Sequence, residues 1–207
     1  DTVGLSLKET TIGDRLKAAG YATGWFGKSH LGYAPPFHPL QRGFDEYFGF
    51  LGGMHDYLDA AGDVNNPILR GTTPMPSIDY TTDAFGREAV AFIEKHRAEP
   101  WFVYLPFNAV HAPLESLEKY LSRFTNIEDT KRRTYAAMQS AMDDAIGTVL
   151  DKIREHKLEE NTLIYFISDN GAPGHREGNG VLRGNKHTCW EGGTRLPWMM
   201  QWKGKLP

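Results

Sequence analysis

Three short segments of this chain are almost wholly apolar: Trp101-Phe-Val-Tyr-Leu105, Thr162–Ile167 and Leu196–Trp202. None alternates apolar with polar as a half-solvated strand does. Each therefore reads as a strand buried on both faces, with Tyr21–Phe26 as a fourth, earlier candidate. Between them lie two helical patterns. Asp79–Arg97 puts Phe85, Ala89, Phe92 and Ile93 on one face and stops at Pro100. Glu128–Lys157 carries the stripe Tyr135, Met138, Met142, Ile146, Val149 and Ile153, whose methionines read as core filler. Strands alternating with helices, the strands covered on both sides, predict an α/β fold: a mostly parallel sheet sandwiched by helices.

Near the start, Ser6-Leu-Lys-Glu9 reads as a capping box opening a helix that carries Ile12, Leu16 and Ala19 and stops at Gly20. Gly27 to Gly62 is rich in Gly, Pro and aromatic residues and reads as a long loop region, which Asp63–Ser77 continues.

Composition removes several function classes. With 23 Lys+Arg against 26 Asp+Glu the net charge is −3, which argues against a nucleic-acid partner. No apolar run approaches the ~20 residues of a membrane span. The single cysteine, Cys189, rules out an internal disulfide framework and a Cys-rich zinc site, and reads as a buried bystander. The chain opens on Asp1-Thr-Val-Gly, with neither an initiator Met nor a signal sequence.

In parallel α/β sheets, ligands bind beyond the carboxyl ends of the strands. The first strand runs into Gly27-Lys28-Ser29-His30, the second into Pro106 to Pro113 with His111, and the third into Ser168-Asp169-Asn170-Gly171. One histidine after a strand is commonly structural, and Asp-Asn-Gly is commonly a turn. Three polar exits on one sheet edge point instead to a site. Asp169 and Asn170 offer hard oxygen ligands for Ca²⁺ or Mg²⁺. Lys28 and Lys186 offer cationic donors for an oxyanion, and His30 and His111 can move protons near neutral pH. Such a set would hold a tetrahedral anion, sulfate or phosphate, and protonate a leaving alkoxide.

Five motifs then resemble one family. Gly20-Tyr-Ala-Thr-Gly-Trp-Phe-Gly-Lys-Ser-His-Leu-Gly32 is similar to the second signature of the sulfatases, a branch of the alkaline-phosphatase superfamily. His38-Pro-Leu-Gln-Arg-Gly-Phe-Asp-Glu-Tyr-Phe-Gly49, Asn108–Pro113, Ser168–Gly171 and Asn185–Pro197 resemble it as well, in the same order. In detail they are similar to the arylsulfatase A and N-acetylgalactosamine-6-sulfatase types. The resemblance implies Ca²⁺-dependent hydrolysis of a sulfate ester, small-molecule or carbohydrate. It implies that Asp169 and Asn170 ligate the metal and that Lys28 and Lys186 contact sulfate oxygens. His30 would hydrogen-bond the nucleophile and assist its regeneration, and His111 would protonate the leaving alcohol. His55 would be a substrate-side histidine, although Met54 precedes it where relatives often have Ser, and the residue itself reads equally as a structural or solvent-exposed histidine. A periplasmic, secreted or lysosomal location follows from family habit.

The pattern departs from the family in two places. Ser29 stands where Trp is common. More important, sulfatases make a formylglycine nucleophile within a C/S-x-P-x-R signature, and the 207 residues contain none. An Asp pair that completes the family's metal site is also expected on an earlier strand. Residues 1–207 therefore read as the central part of a sulfatase catalytic domain, incomplete at both ends and inactive alone. A phosphate mono- or diesterase of the same superfamily, and a non-catalytic relative, remain alternatives. Tyr33, Phe37, Phe50 and Tyr57 either stack on a sugar ring or pack their own loop.

Overall fold

The computed structural model describes residues 3–62, 65–173 and 178–206. The chain divides into two compact units, one up to Lys152 and one from Ile153.

The first unit is built on a five-stranded sheet, in the order β4-β3-β2-β1-β5. Its strands are β1 (Ala22–Lys28), β2 (Glu46–Phe50), β3 (Leu69–Arg70), β4 (Thr73–Pro74) and β5 (Trp101–Tyr104). β1 is central and pairs in parallel with β2, Gly27 opposite Gly49, and with β5, Ala22 opposite Trp101. The short β3 and β4 are added antiparallel at the β2 edge. The sheet is thus mixed, with its long pairings parallel, and helices complete the expected α/β architecture.

Successive side chains of β1 and β2 point to opposite faces, and each face has its own core. Phe26, Phe48 and Phe50 pack with Phe85, Ala89 and Phe92 of α2 (Thr81–His96). Trp25 and Tyr47 pack with Phe44 and Leu69 on the other side. There α1 (Ile12–Ala18) comes close at Gly13, where a methyl group would meet the Phe44 ring at 2.6 Å. A third cluster joins Tyr57, Tyr80 and Tyr120 of α3 (Glu118–Leu121) to Ala137, Met138 and Ala141 of α4 (Thr130–Glu155).

The second unit carries a two-stranded sheet of β6 (Ile164–Ile167) and β7 (Trp198–Gln201), with the one-turn α5 (Glu191–Thr194). The two strands run antiparallel, Ile164 opposite Gln201, so these apolar segments do not extend a parallel sheet with each other. Among the described residues no helix is long and apolar enough to cross a membrane.

Four local expectations change. The first helix is capped by Thr11, not Ser6: Thr11 and Asp14 exchange side-chain-to-backbone hydrogen bonds, while Ser6 and Glu9 only close a turn. β2 lies inside the stretch expected to be loop, and β3 and β4 inside its continuation. The buried face of α4 is narrower than the stripe: Met138 and Ile153 are buried, whereas Met142, Ile146 and Val149 are half-buried and alanines 137, 141 and 145 fill the seam. Cys189 is exposed, because it lies on a turn ahead of α5 and not in a core.

Candidate active site

Lys28 is the last residue of β1 and is half-buried. Its amide donates to Pro106 O at 2.9 Å, at the exit of β5. The amides of Ser29 and His30 turn the other way, to Phe50 O and Leu51 O, both at 2.9 Å, at the exit of β2. The central strand is therefore stitched to both neighbours as it leaves the sheet. Its glycines permit this. A methyl at Gly27, which sits at φ 138°, would collide with Pro106 O, and one at Gly49 with Gly27 O. His30 follows with φ 59°, a left-handed conformation that a side chain rarely adopts and that concentrates at functional sites. Its exposed ring rests on Gly53, where a methyl would come within 2.6 Å of Nε2.

His111 lies in the loop that leaves β5. Tyr57 holds this loop from beneath, its hydroxyl reaching Asn108 O at 2.7 Å and His111 O at 2.9 Å. Burial, with Tyr80 and Glu115 nearby, pushes the Tyr57 phenol far up, so it remains a donor at any working pH. Tyr80 donates to Glu115 O at 3.0 Å, and Glu115 Oε2 accepts from the Tyr57 amide at 2.7 Å. His111 itself is half-buried. Its Nδ1 is 2.8 Å from Ala112 O, which can only accept, so the proton sits on Nδ1 and Nε2 is the reactive nitrogen.

The first unit thus brings Lys28, His30 and the His111 loop to the carboxyl edge of adjacent parallel strands. His55 belongs to the same unit but lies beneath the surface, 4% exposed. Its ring stacks near Phe50 at 5.0 Å, Nδ1 meets Asp56 O at 2.6 Å, and Nε2 is buried without a partner.

In the second unit, Asp169 and Asn170 follow β6 after one residue, Ser168. Asp169 is exposed and Asn170 half-buried. Asn170 Nδ2 donates to Gly171 O at 3.2 Å and Ser168 Oγ to Asn170 O at 3.0 Å, which fixes the amide with Oδ1 as its accepting end. The Lys186 amide donates to Ala172 O at 3.0 Å, so the backbone of Lys186 is fastened two residues beyond Asn170. Asn179 spans the same loops, accepting from the Ala172 amide and donating to Gly184 O, each at 2.9 Å. His187, beside Lys186, has φ 76°, so each Lys has a left-handed histidine within two residues. A carboxylate and an amide oxygen suit a hard divalent cation. They supply only part of the ~6–8 oxygens that Ca²⁺ takes.

Sequence reasoning missed Tyr57 as the support of the His111 loop, Gly53 as the seat of His30, and Asn179. The paired glycines 52 and 53 were the available signal for the seat. A lone Tyr or Asn gives none.

An α/β sheet with lysine and histidine at its strand exits is one that many hydrolases could share. Comparison with known proteins narrows it: the sulfatase family model matches residues 2–207, and the chain belongs to the sulfatase family. Mouse arylsulfatase J is 35% identical over 92% of the chain and 34% of its own length. Dog N-acetylgalactosamine-6-sulfatase is 31% identical over 99% of the chain and 42% of its own length. The crystal structure of Ps i-CgsB in complex with k-i-k-neocarrahexaose superposes on the whole chain with a TM-score of 0.92, at 35% identity, over 50% of that protein. The chain thus spans between a third and a half of these relatives.

Proposed function

We propose that this chain supplies part of the active site of a hydrolase that cleaves sulfate esters, with a sulfated carbohydrate as substrate. The observation that carries the reading is the shared exit of β1 and β5. There a lysine and a left-handed histidine leave the central strand, tied by a backbone bond to the loop that holds a tautomer-fixed His111. The family match and the sulfatase names of its relatives favour sulfate over phosphate, and a catalytic protein over a silent relative. The carbohydrate class is suggested by the neocarrahexaose bound to Ps i-CgsB and by the amino-sugar sulfatases.

In this reading Lys28 and Lys186 each offer a cationic amine to the non-bridging sulfate oxygens, while the charge that grows as the ester S–O bond breaks falls on the leaving oxygen. As a general acid His111 must carry a second proton, on Nε2; it gives that proton to the departing alkoxide and returns to the Nδ1–H form, which stays anchored on Ala112 O and keeps the ring aimed. His30 hydrogen-bonds the attacking group and assists its regeneration. Asp169 and Asn170 would supply two oxygen ligands to a Ca²⁺ or Mg²⁺ ion, whose contribution would be Lewis-acid polarisation of the bound ester. The 207 residues hold no C/S-x-P-x-R signature, so the formylglycine nucleophile and the remaining metal ligands lie outside them in this reading. The burial of His55 favours a packing role over direct substrate contact.

The test is His111→Ala in the protein that carries this chain, assayed on two sulfate esters. With an alcohol leaving group, kcat should fall by about 10²–10³-fold. With 4-nitrophenol, which leaves without help, the loss should stay below about tenfold. Equal losses on both would remove His111 from the general-acid role.

A further inference from the structure

Four aromatic residues of the loops around the site were open to two uses, and the structure separates them. Phe37, Phe50 and Tyr57 are buried in the cores. Tyr33 is 45% exposed. Its position is tied to the site through two consecutive glycines. A methyl on Gly52 would strike the Tyr33 hydroxyl, and one on Gly53 would strike the His30 ring. Tyr33 and His30 therefore rest on neighbouring residues, whose Cα atoms are about 3.8 Å apart. Asn66, itself buried, holds this seat in place. Its Oδ1 accepts from the Gly52 amide at 2.8 Å and its Nδ2 donates to Met54 O at 2.9 Å. Met54, the next residue, is 56% exposed.

We propose that Tyr33 is a specificity-determining residue, the platform on which the pyranose ring bearing the sulfate ester stacks. The assignment rests on the sulfatase reading and adds to it where the non-reacting part of the substrate is gripped. An aromatic side chain is rigid and apolar on its face with a polar tip, which suits the C–H face of a sugar whose hydroxyls point outward. With its hydroxyl end lodged against Gly52, the side chain is positioned before substrate arrives, so little freedom is lost on binding. Binding energy gathered there, away from the sulfur, can be used to position the ester against His30 and Lys28. The three buried aromatics have no face left to offer.

The experiment compares wild type, Tyr33→Phe and Tyr33→Ala in the protein that carries this chain. Three measurements are made: sulfate release from sulfated carrageenan and chondroitin hexasaccharides, sulfate release from 4-methylumbelliferyl sulfate, and the inhibition constant of inorganic sulfate. Tyr33→Ala should lower kcat/KM for a cleaved hexasaccharide by about tenfold, mostly through KM. Tyr33→Phe should stay within about twofold, because the ring is what counts. The inhibition constant of inorganic sulfate, which has no ring, should not move in either variant. If that constant rises in step with KM, Tyr33 acts by disturbing Lys28 or His30 and the platform is refuted. Equal loss in Tyr33→Phe and Tyr33→Ala refutes it too, as does cleavage of 4-methylumbelliferyl sulfate with no hexasaccharide bound or cleaved. Release of sulfate from none of these esters overturns the sulfatase reading itself.

Discussion

Lys28 leaves a strand whose residues 23–27 are all buried, whereas Asp169 leaves a strand whose alternate residues are exposed, paired to another exposed along its whole length. The first unit positions its functional groups with apolar bulk. Phe26, Phe48, Phe85 and Phe92 interlock on one face of the sheet, and Trp25, Phe44 and Tyr47 on the other. The second holds its loops with backbone bonds and bare glycines. The Gly171 amide donates to Gly193 O, the Gly192 amide to Arg183 O, and a methyl on Gly171 would run into Gly192 O. Two kinds of support imply two kinds of weakness. The first unit should be sensitive to lost volume and the second to added volume.

Truncating a core side chain draws the contrast most sharply. Phe85 is fully buried, and Phe85→Ala should cost about 3–5 kcal/mol through lost transfer energy and the cavity left behind. Met199 in β7 is 58% exposed, and Met199→Ala should stay within about 0.5 kcal/mol. Urea unfolding of the 207-residue chain reads both. Comparable losses would mean that the β6–β7 sheet is packed as tightly as the first unit.

Adding one methyl should reverse the ranking. Gly171→Ala must push Gly171 and Gly192 apart, at a cost of about 1–3 kcal/mol. Amide exchange at Gly192 and Lys186 should speed up accordingly. A methyl on Gly147 of α4 would meet nothing within 4 Å, so Gly147→Ala should stabilise by about 0.5–1 kcal/mol by favouring helix. A neutral Gly171→Ala would show that the close approach is not what holds the Asp169 loop.

Much of this was legible because the strongest signals were local and periodic. Phe85, Ala89, Phe92 and Ile93 were recognisable as one face, and all four are buried. The polar exits Lys28, His30 and His111 could be placed at strand ends because their strands were short and apolar. β2 was hidden for a physical reason. Its Gly49 looks like a turn residue, yet glycine stands there because Gly27 O approaches too closely for any side chain. The helix start was misplaced because Ser6-x-x-Glu9 and Thr11-x-x-Asp14 compete as caps, and only the second is followed by a turn that packs, through Gly13, on Phe44. The pairing of β6 with β7 depends on contacts between segments more than thirty residues apart, which periodicity does not encode.

The smallest expected effect concerns charge within the first unit's core. His38 is buried against Tyr47, ring centroids 4.9 Å apart, and its Nδ1 accepts from the Leu40 amide at 3.2 Å, so its proton sits on Nε2. Burial lowers its pKa below the ordinary 6.5, although the Gly71 carbonyl pulls the other way. The unfolded chain therefore takes up a proton before the folded one does. Stability from this group is complete above pH 6.5 and declines as pH falls from there toward the lowered folded value. Asp45 and Glu46 titrate in a different window. Burial pushes both upward, and hydrogen bonds from Lys17, Thr23, Lys95 and His96 outweigh it, so their contributions are lost only in more acidic solution. His38→Gln keeps an acceptor for Leu40 and cannot be charged. Between pH 7.5 and 5.5 the wild type should lose up to about 1 kcal/mol more than this variant in urea unfolding. An identical pH dependence in the two proteins would mean that the core admits the imidazolium without penalty, and that the first unit is less tightly closed around Tyr47 than its packing implies.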